Sequence, residues 1–183
     1  MYRFFVSNLF PGRPEFPADS VWRKLIPSKI NAFMWIVAHK KILTLDILQR
    51  RGLAIANICV MCCKEEESAD HLLVDCEFTS GVWNELKKAR SLTLTPNRDI
   101  ITTIRSWNAD CPTDLNGWIV YCALHSICWQ VWLERNQRTF NDCCLPPTAV
   151  YKKAMHAAVE WLVAFGKISR DQAKWWLRTY LNV

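Results

Sequence analysis

The chain has 183 residues and 51% of them are hydrophobic, so it can bury the core of one domain or of two small ones. No apolar run approaches the roughly 18 residues that a membrane helix needs, and the N-terminus lacks the cleavage site of a signal peptide. The nine cysteines are an odd number, which argues against a secreted disulfide framework. We therefore expect no membrane contact and an intracellular, reducing compartment, with no choice between nucleus and cytoplasm.

The net charge of +6 is unevenly distributed. Residues 21–53 carry an excess of six positive charges, and residues 54–86 carry an excess of six negative charges. The basic residues of the first segment are Arg23, Lys24, Lys29, Lys40, Lys41, Arg50 and Arg51. Because proteins bind phosphate mainly through Lys and Arg, these side chains are candidate contacts for RNA or DNA. The alternative is that the two charged segments pair with each other, and the sequence favours neither.

Helical patterns begin after an N-terminal segment, residues 1–20, that contains three prolines and is predicted to be extended. Apolar residues recur at helical spacing over about 29–40, with Ser28 as a candidate N-cap. Thr44 is the candidate cap of the next helix, which Gly52 would end in a left-handed conformation. This part of the chain is therefore predicted to contain two short helices.

The remainder of the chain is also predicted to be helical. The predicted helices cover 79–89, 96–107, 114–140, 148–165 and 169–181. The longest of them is apolar through most of its first two-thirds, so we expect that part to lie at the centre of the fold. No segment shows the alternation of a β-strand. The predicted fold class is all-α.

Metal-binding residue types occur between the two sets of helices. They are Cys59, Cys62, His71 and Cys76, in the spacing C-x2-C-x8-H-x4-C. Three thiolates and one imidazole fill the tetrahedral shell that Zn²⁺ prefers, and a filled shell leaves no position for a catalytic water. The sequence therefore predicts one structural zinc ion in a small zinc-knuckle loop. Cys63 is the alternative to Cys62 as a ligand.

A helix is predicted to begin at Ser68 and to carry both His71 and Cys76. Residues five apart in an α-helix lie about 500° apart around the axis, so they do not share a face. We therefore expect the helix to end or unwind near Asp75, which would let Cys76 turn back toward the metal.

Catalytic residues are not predicted. A nucleophilic cysteine needs an oriented base, and His71 is better used as a metal ligand. A polymerase needs paired carboxylates for two metal ions, and the chain contains no Asp-Asp pair. The sequence therefore predicts that the chain is not an enzyme.

The motifs resemble one known family. The matching residues are Trp22, Pro27, Lys29, Phe33, Trp35, Thr44-Leu45-Asp46, Leu48, Arg51-Gly52, Cys59, Cys62, Glu67-Ser68, His71-Leu72, Cys76 and Trp83. This pattern resembles the zinc-binding domain that follows the polymerase in reverse transcriptases of plant LINE-type (non-LTR) retrotransposons. Farther along, residues 129–140 are similar to the W-x-x-W-x-E-R-N-x-R-x-F stretch of the same open reading frames.

This resemblance implies a structural zinc module attached to a polymerase domain that copies element RNA. It assigns the zinc to Cys59, Cys62, His71 and Cys76. The chain is predicted to divide into an extended segment at 1–20, a zinc-binding domain at 21–90 and a helical C-terminal region at 91–183. We expect the chain to be a piece of a longer element protein.

Three functions remain open from the sequence. The first is a non-catalytic zinc module whose basic helices bind RNA or DNA. The second is a protein-interaction or scaffold module that docks on the polymerase domain. The third is an inactive fragment of a decayed retroelement.

Overall fold

A computed structural model describes residues 16–90, 99–107 and 114–181 of the chain. Within these ranges all regular secondary structure is helical, which confirms the predicted all-α class. The helices are α1 (Ala18–Val21), α2 (Ser28–Ala38), α3 (Leu45–Arg50), α4 (Glu77–Arg90), α5 (Ile100–Ser106), α6 (Leu115–Asn141), α7 (Pro147–Ala164) and α8 (Arg170–Leu181). A π-helical segment, His71–Asp75, lies between α3 and α4.

The long helix α6 is the centre of the fold. It begins where the Asp114 carboxylate accepts a hydrogen bond from the Gly117 backbone N–H at 2.7 Å, a standard N-cap. Its most extensive contact is with α7, and it also packs against α2. Ile119 and every residue from Cys122 to Cys128 are buried, so this stretch is covered on all sides, as the apolar sequence predicts. The surrounding helices therefore enclose this part of α6.

Helix α7 lies between α6, α4 and α8. It begins at Pro147, where the fixed φ of proline suits a first helical turn. Gly81 of α4 faces this turn, and a Cβ atom at Gly81 would lie 3.1 Å from the Pro147 ring. The absence of a side chain at Gly81 therefore permits the close approach of α4 to α7.

The N-terminal helices attach to this core through Arg23, which the sequence offered as a phosphate contact. That prediction is wrong, because Arg23 is 4% exposed. Its guanidinium donates hydrogen bonds to the carbonyl oxygens of Ser20, Tyr121 and Trp107, and burial lowers its pKa. Arg23 therefore holds α1 against the end of α5 and the second turn of α6.

Several predicted helix ends differ from those in the structure. Residues 18–20, expected to be extended, belong to α1. Ser28 is the first residue of α2 rather than its cap, and Thr44 makes no capping hydrogen bond to α3. Gly52 does adopt the expected left-handed conformation, with φ of +91°. The start predicted at residue 96 lies outside the described residues.

The division into regions 1–20, 21–90 and 91–183 remains a prediction. In the described ranges, no helix has both the length and the apolar character needed to cross a membrane.

Candidate metal centre

The loop before the π-helical segment folds back on itself through two backbone hydrogen bonds. The Cys59 N–H donates to the Glu65 carbonyl at 2.8 Å, and the Cys63 N–H donates to the Cys59 carbonyl at 2.8 Å. Cys63 adopts a left-handed conformation, with φ of +55°. The turn therefore presents Cys59 and Cys62 to the same side.

The His71–Cys76 spacing is accommodated by a wider helix. The Ser68 hydroxyl caps the helix as predicted, accepting a hydrogen bond from the His71 N–H at 3.1 Å. The Cys76 N–H then donates to the His71 carbonyl five residues earlier, at 2.7 Å, which is the π-helical pattern. Cys76 itself is extended, with ψ of 132°, so the helix ends at Asp75 as expected. This widened turn brings Cys76 back beside His71.

The four predicted ligands meet at one point. Their ligand atoms all lie within 4.8 Å of one another. The sulfur atoms of Cys59 and Cys76 are 4.0 Å apart, and the Cys62 sulfur lies 3.4 Å from His71 Nε2. A tetrahedral zinc ion with ordinary bond lengths would separate two sulfurs by about 3.8 Å and a sulfur from a nitrogen by about 3.5 Å. The residues present therefore fit a zinc ion.

The structure favours Cys62 over Cys63 at the second position. Cys62 belongs to the cluster, whereas Cys63 is exposed and its thiol points to the Val60 carbonyl at 3.8 Å. The left-handed backbone at Cys63 directs its side chain away from the other three ligands.

The hydrogen bond between the sulfurs of Cys59 and Cys76 shifts the pKa values of these two buried thiols in opposite directions, with smaller effects from burial and backbone N–H groups. The hydrogen bond to Cys76 and burial raise the pKa of Cys59, while the backbone N–H groups of Cys62 and Met61 oppose that shift. The pKa of Cys76 is lowered, because it accepts the hydrogen bond from Cys59 and lies at the N–H groups of Thr79 and Phe78. These N–H groups favour thiolates, the form in which cysteine binds a metal.

The His71 ring is held in the orientation that a metal ligand requires. Its Nε2 atom faces the cluster, and its Nδ1 atom lies 3.4 Å from the carboxylate of Glu65. A carboxylate behind a ligating histidine fixes the ring and its tautomer. His71 is buried, whereas Glu65 is exposed, so the cluster lies just beneath the surface.

Residues 2–83 match a family model described as zinc-binding in reverse transcriptase. Over this segment, the chain is similar to the zinc-binding domain of that family. This match agrees with the resemblance seen in the sequence and with the cluster of three cysteines and one histidine, since all three indicate zinc binding. We refer to residues 2–83 below as the zinc-binding domain.

A relative from Arabidopsis thaliana, named "Putative ribonuclease H protein", is 32% identical over 65 residues. The match covers 36% of this chain and 10% of that protein, so the chain spans a small part of the relative. No solved structure matches the chain at a significant level.

A buried ion pair joins the zinc-binding domain to α6. Glu67, which is fully buried, accepts two hydrogen bonds from Arg135, at 2.9 and 3.1 Å. The same carboxylate accepts the first backbone N–H of α3, from Leu45, at 2.9 Å. Glu67 therefore supplies the cap that Thr44 was expected to provide, and it connects the loop with α3 and α6.

Sequence reasoning identified both partners of this pair but not the pairing. Glu67 belongs to the zinc-binding motif and Arg135 to the W-x-x-W-x-E-R-N-x-R-x-F stretch, which was interpreted as resembling the same reading frames. Their separation of 68 positions in the sequence hides the contact from any local pattern.

The remaining basic residues lie on the surface. Lys24, Lys29, Lys40, Lys41, Arg50 and Arg51 are all exposed. Lys40 is paired with both Asp70 and Asp99, at 2.6 and 2.9 Å, and Arg50 is paired with Asp46 at 3.3 Å. The Lys29 ammonium lies 5.8 Å from the centre of the Trp129 ring. Within the part of the chain that the structure describes, Lys24, Lys41 and Arg51 make no ion pair.

Proposed function

We propose that Cys59, Cys62, His71 and Cys76 hold one structural zinc ion and that the domain is not catalytic by itself. The meeting of four protein ligands at tetrahedral spacing carries this proposal. A zinc ion with four protein ligands has no open position for water, and this closed arrangement is typical of structural sites. The zinc would fix the loop against the π-helical segment, because its ligands come from both.

We further propose that the zinc-binding domain supports nucleic-acid binding by a reverse transcriptase. The family match supports the polymerase context. The exposed Lys24, Lys29, Lys41, Arg50 and Arg51 are the candidate phosphate contacts, with Lys40 partly engaged by its two aspartates. The acidic residues Glu65, Glu66, Asp75 and Glu77 are exposed around the metal loop, so RNA or DNA would approach the basic helices rather than the loop.

The test is the salt dependence of binding to single-stranded RNA and DNA. The variant reverses the charge of Lys24, Lys41 and Arg51 to Glu, and the control reverses Lys152, Lys153 and Lys174, which are exposed on α7 and α8. Each lost phosphate contact should reduce the slope of log K against log salt by about 0.7. We expect a reduced slope for the first variant alone. Equal loss in both variants, or no binding by the parent chain, would refute the nucleic-acid role.

A protein-interaction role is the second candidate, and exposed apolar side chains on α2 and around α3 favour it. These side chains are Trp35, Ile36, Leu43, Leu53 and Ile58. This candidate takes these side chains to form one contiguous patch, the kind of surface that marks a protein contact. The polymerase domain of the longer protein is the proposed partner. Binding to that domain without RNA affinity would support this candidate.

The proposed compartment is intracellular and reducing. The described cysteines are free, and zinc-bound thiolates need protection from oxidation.

A further inference from the structure

Arg138 lies on α6, 55 residues beyond the end of the matched segment, yet its guanidinium reaches the metal loop. It donates a hydrogen bond to the Met61 carbonyl at 3.2 Å. It also donates to the Leu145 carbonyl at 2.9 Å and to the Glu134 carboxylate at 2.9 Å. Its charged centre lies 4.3 Å from the centre of the Phe78 ring. Arg138 therefore contacts both chain segments that flank the metal cluster.

The two contacts of Arg138 near the metal cluster, with the Met61 carbonyl and the Phe78 ring, are each connected to a ligand sulfur through a backbone N–H group. The Met61 carbonyl belongs to the same planar peptide unit as the Cys62 N–H, and that N–H lies at the Cys59 sulfur. Phe78 supplies one of the N–H groups at the Cys76 sulfur. Fixing the Met61 carbonyl and the Phe78 ring thus fixes two of the donors that face the ligand sulfurs.

We propose that Arg138 is a positioning residue of the zinc centre, holding the Met61–Cys62 peptide and Phe78 so that their N–H groups point at the sulfurs of Cys59 and Cys76. This inference rests on the zinc site of the proposed function. Hydrogen-bonding partners one contact away from the ligands commonly change metal affinity by about 10- to 100-fold.

Electrostatics act in the same direction. A zinc ion with three thiolates and a neutral imidazole carries a net charge of about −1. The Arg138 cation is mostly buried, with 16% of its side chain exposed, so solvent screens its attraction to that charge only in part, while its ion pair with Glu134 at 2.9 Å offsets some of that attraction. Its charge also polarises the Met61–Cys62 peptide, which strengthens the donation of the Cys62 N–H to sulfur.

Glu134 holds Arg138 in place. One oxygen of the Glu134 carboxylate accepts from Arg138 and also from the Leu145 N–H at 2.8 Å, and Glu134 is 4% exposed. The turn after α6 and the guanidinium are therefore fixed to each other. The zinc-binding site is then complete only with α6, which lies outside the segment that matches the family.

The experiment measures zinc affinity of the full chain by competition with a chromophoric chelator. Arg138→Met removes the hydrogen bonds and keeps much of the side-chain volume. Arg138→Lys keeps the charge but cannot span the two carbonyls as a planar fork does. We expect about a tenfold loss of affinity for the Met variant and a smaller loss for the Lys variant. Arg178→Met, an exposed change on α8, is the control for loss of charge and should keep the parent affinity.

A second control separates positioning from general stability. Ile127→Val alters the buried core of α6 and lowers stability without touching the loop. The absorption spectrum of cobalt(II) bound in place of zinc reports the arrangement of its ligands, and it should change in both Arg138 variants but not in Ile127→Val.

Three outcomes are informative. Affinity within about twofold of the parent in Arg138→Met would overturn the inference. The inference would also be overturned if the Arg138 variants kept the parent cobalt spectrum and Ile127→Val lost as much zinc affinity as they do. Arg138 would then affect zinc binding only through the stability of the fold. Absence of zinc binding in the parent chain would instead refute the zinc site itself. If Arg138→Met does not fold, the spectrum and affinity of Arg138→Lys decide the question alone.

Discussion

The metal loop and the α6–α7 core are stabilised in different ways. In the loop, residues 57–67, the buried side chains are Cys59, Met61 and Glu67, which are a metal ligand, one apolar residue and one carboxylate. In α6 and α7, fully buried apolar residues such as Ile119, Leu124 and Met155 fill the interface. The loop therefore depends on a few polar and metal contacts, whereas the core depends on many small apolar ones.

This difference predicts where single substitutions act. A change at one contact in the loop should have a large and local effect, because few other contacts remain. A change of one methyl group in the core should have a modest effect, because the burial is spread over many residues. The ion pair between Glu67 and Arg135 connects the two regions, so its loss should affect both.

Loss of a zinc ligand has the largest expected effect. Cys76→Ser should abolish tight zinc binding, because structural zinc supplies about 10–16 kcal/mol of binding free energy to such sites. Hydrogen exchange should show lost protection from residue 59 to residue 76, while amides in the middle of α6 stay protected. The adjacent exposed cysteine provides the control, since Cys63→Ser should keep both zinc and protection. Zinc loss in the control instead would show that the ligand at this position has been misassigned.

Breaking the buried ion pair should cost less than losing the metal. Glu67→Gln leaves the Arg135 charge buried without its partner, and we expect a loss of about 3–5 kcal/mol in the free energy of unfolding, measured in urea. The double variant with Arg135→Met should recover part of that loss, because no unpaired charge remains. A cost below about 1 kcal/mol for Glu67→Gln would be no larger than that of an exposed salt bridge. It would contradict the claim that this ion pair connects the metal loop to the core.

Acid should destabilise the core through His125. Burial, reinforced by the charge of Arg23, lowers the pKa of His125 to about 3, against a hydrogen bond with the Val21 carbonyl that raises it. The unfolded state therefore binds a proton below about pH 6.5 that the folded state does not, and stability falls as the pH falls through that window. Between pH 7 and pH 5 this group should contribute a loss of about 2 kcal/mol.

His125→Met tests this origin. Both proteins contain the same zinc site, so any effect of that site on stability cancels when the two pH profiles are subtracted. The variant should lose about 2 kcal/mol less than the parent between pH 7 and pH 5. If stability depended on pH in the same way in His125→Met and the parent, the acid sensitivity would come entirely from other groups.

The smallest effect is expected at the surface ion pairs of Lys40, which follows the end of α2. Lys40 lies between Asp70 and Asp99, and its ammonium and the Thr102 donors lower the pKa of Asp99 although partial burial would raise it. Because the Lys40 side chain is 44% exposed, Lys40→Met should cost less than about 1 kcal/mol in urea unfolding. A cost of several kcal/mol would show that surface charge stabilises the domain more than its buried contacts do.

The features that the sequence predicted correctly are local ones. The helices follow from apolar spacing, and the metal cluster follows from the types and spacing of four side chains. The end of the His71 helix near Asp75 could also be anticipated, because an α-helix cannot place both His71 and Cys76 on one face. The structure resolves that conflict by widening the helix.

The features that the sequence did not predict depend on distant partners. Arginine usually lies on the surface of a protein. Arg23 can be buried because three backbone carbonyl groups accept hydrogen bonds from its guanidinium. The capping of α3 by Glu67 rather than Thr44 has the same origin, since Glu67 is 22 residues away from Leu45. Hydrogen-bond partners of this kind become visible only when the chain is folded.

X-ray absorption at the zinc edge of the purified full chain is the most direct test of the central claim. We predict a shell of three sulfurs at about 2.3 Å and one nitrogen at about 2.0 Å, with no oxygen ligand. A shell that contains a water oxygen, or a protein that holds no zinc, would contradict a closed structural site at Cys59, Cys62, His71 and Cys76.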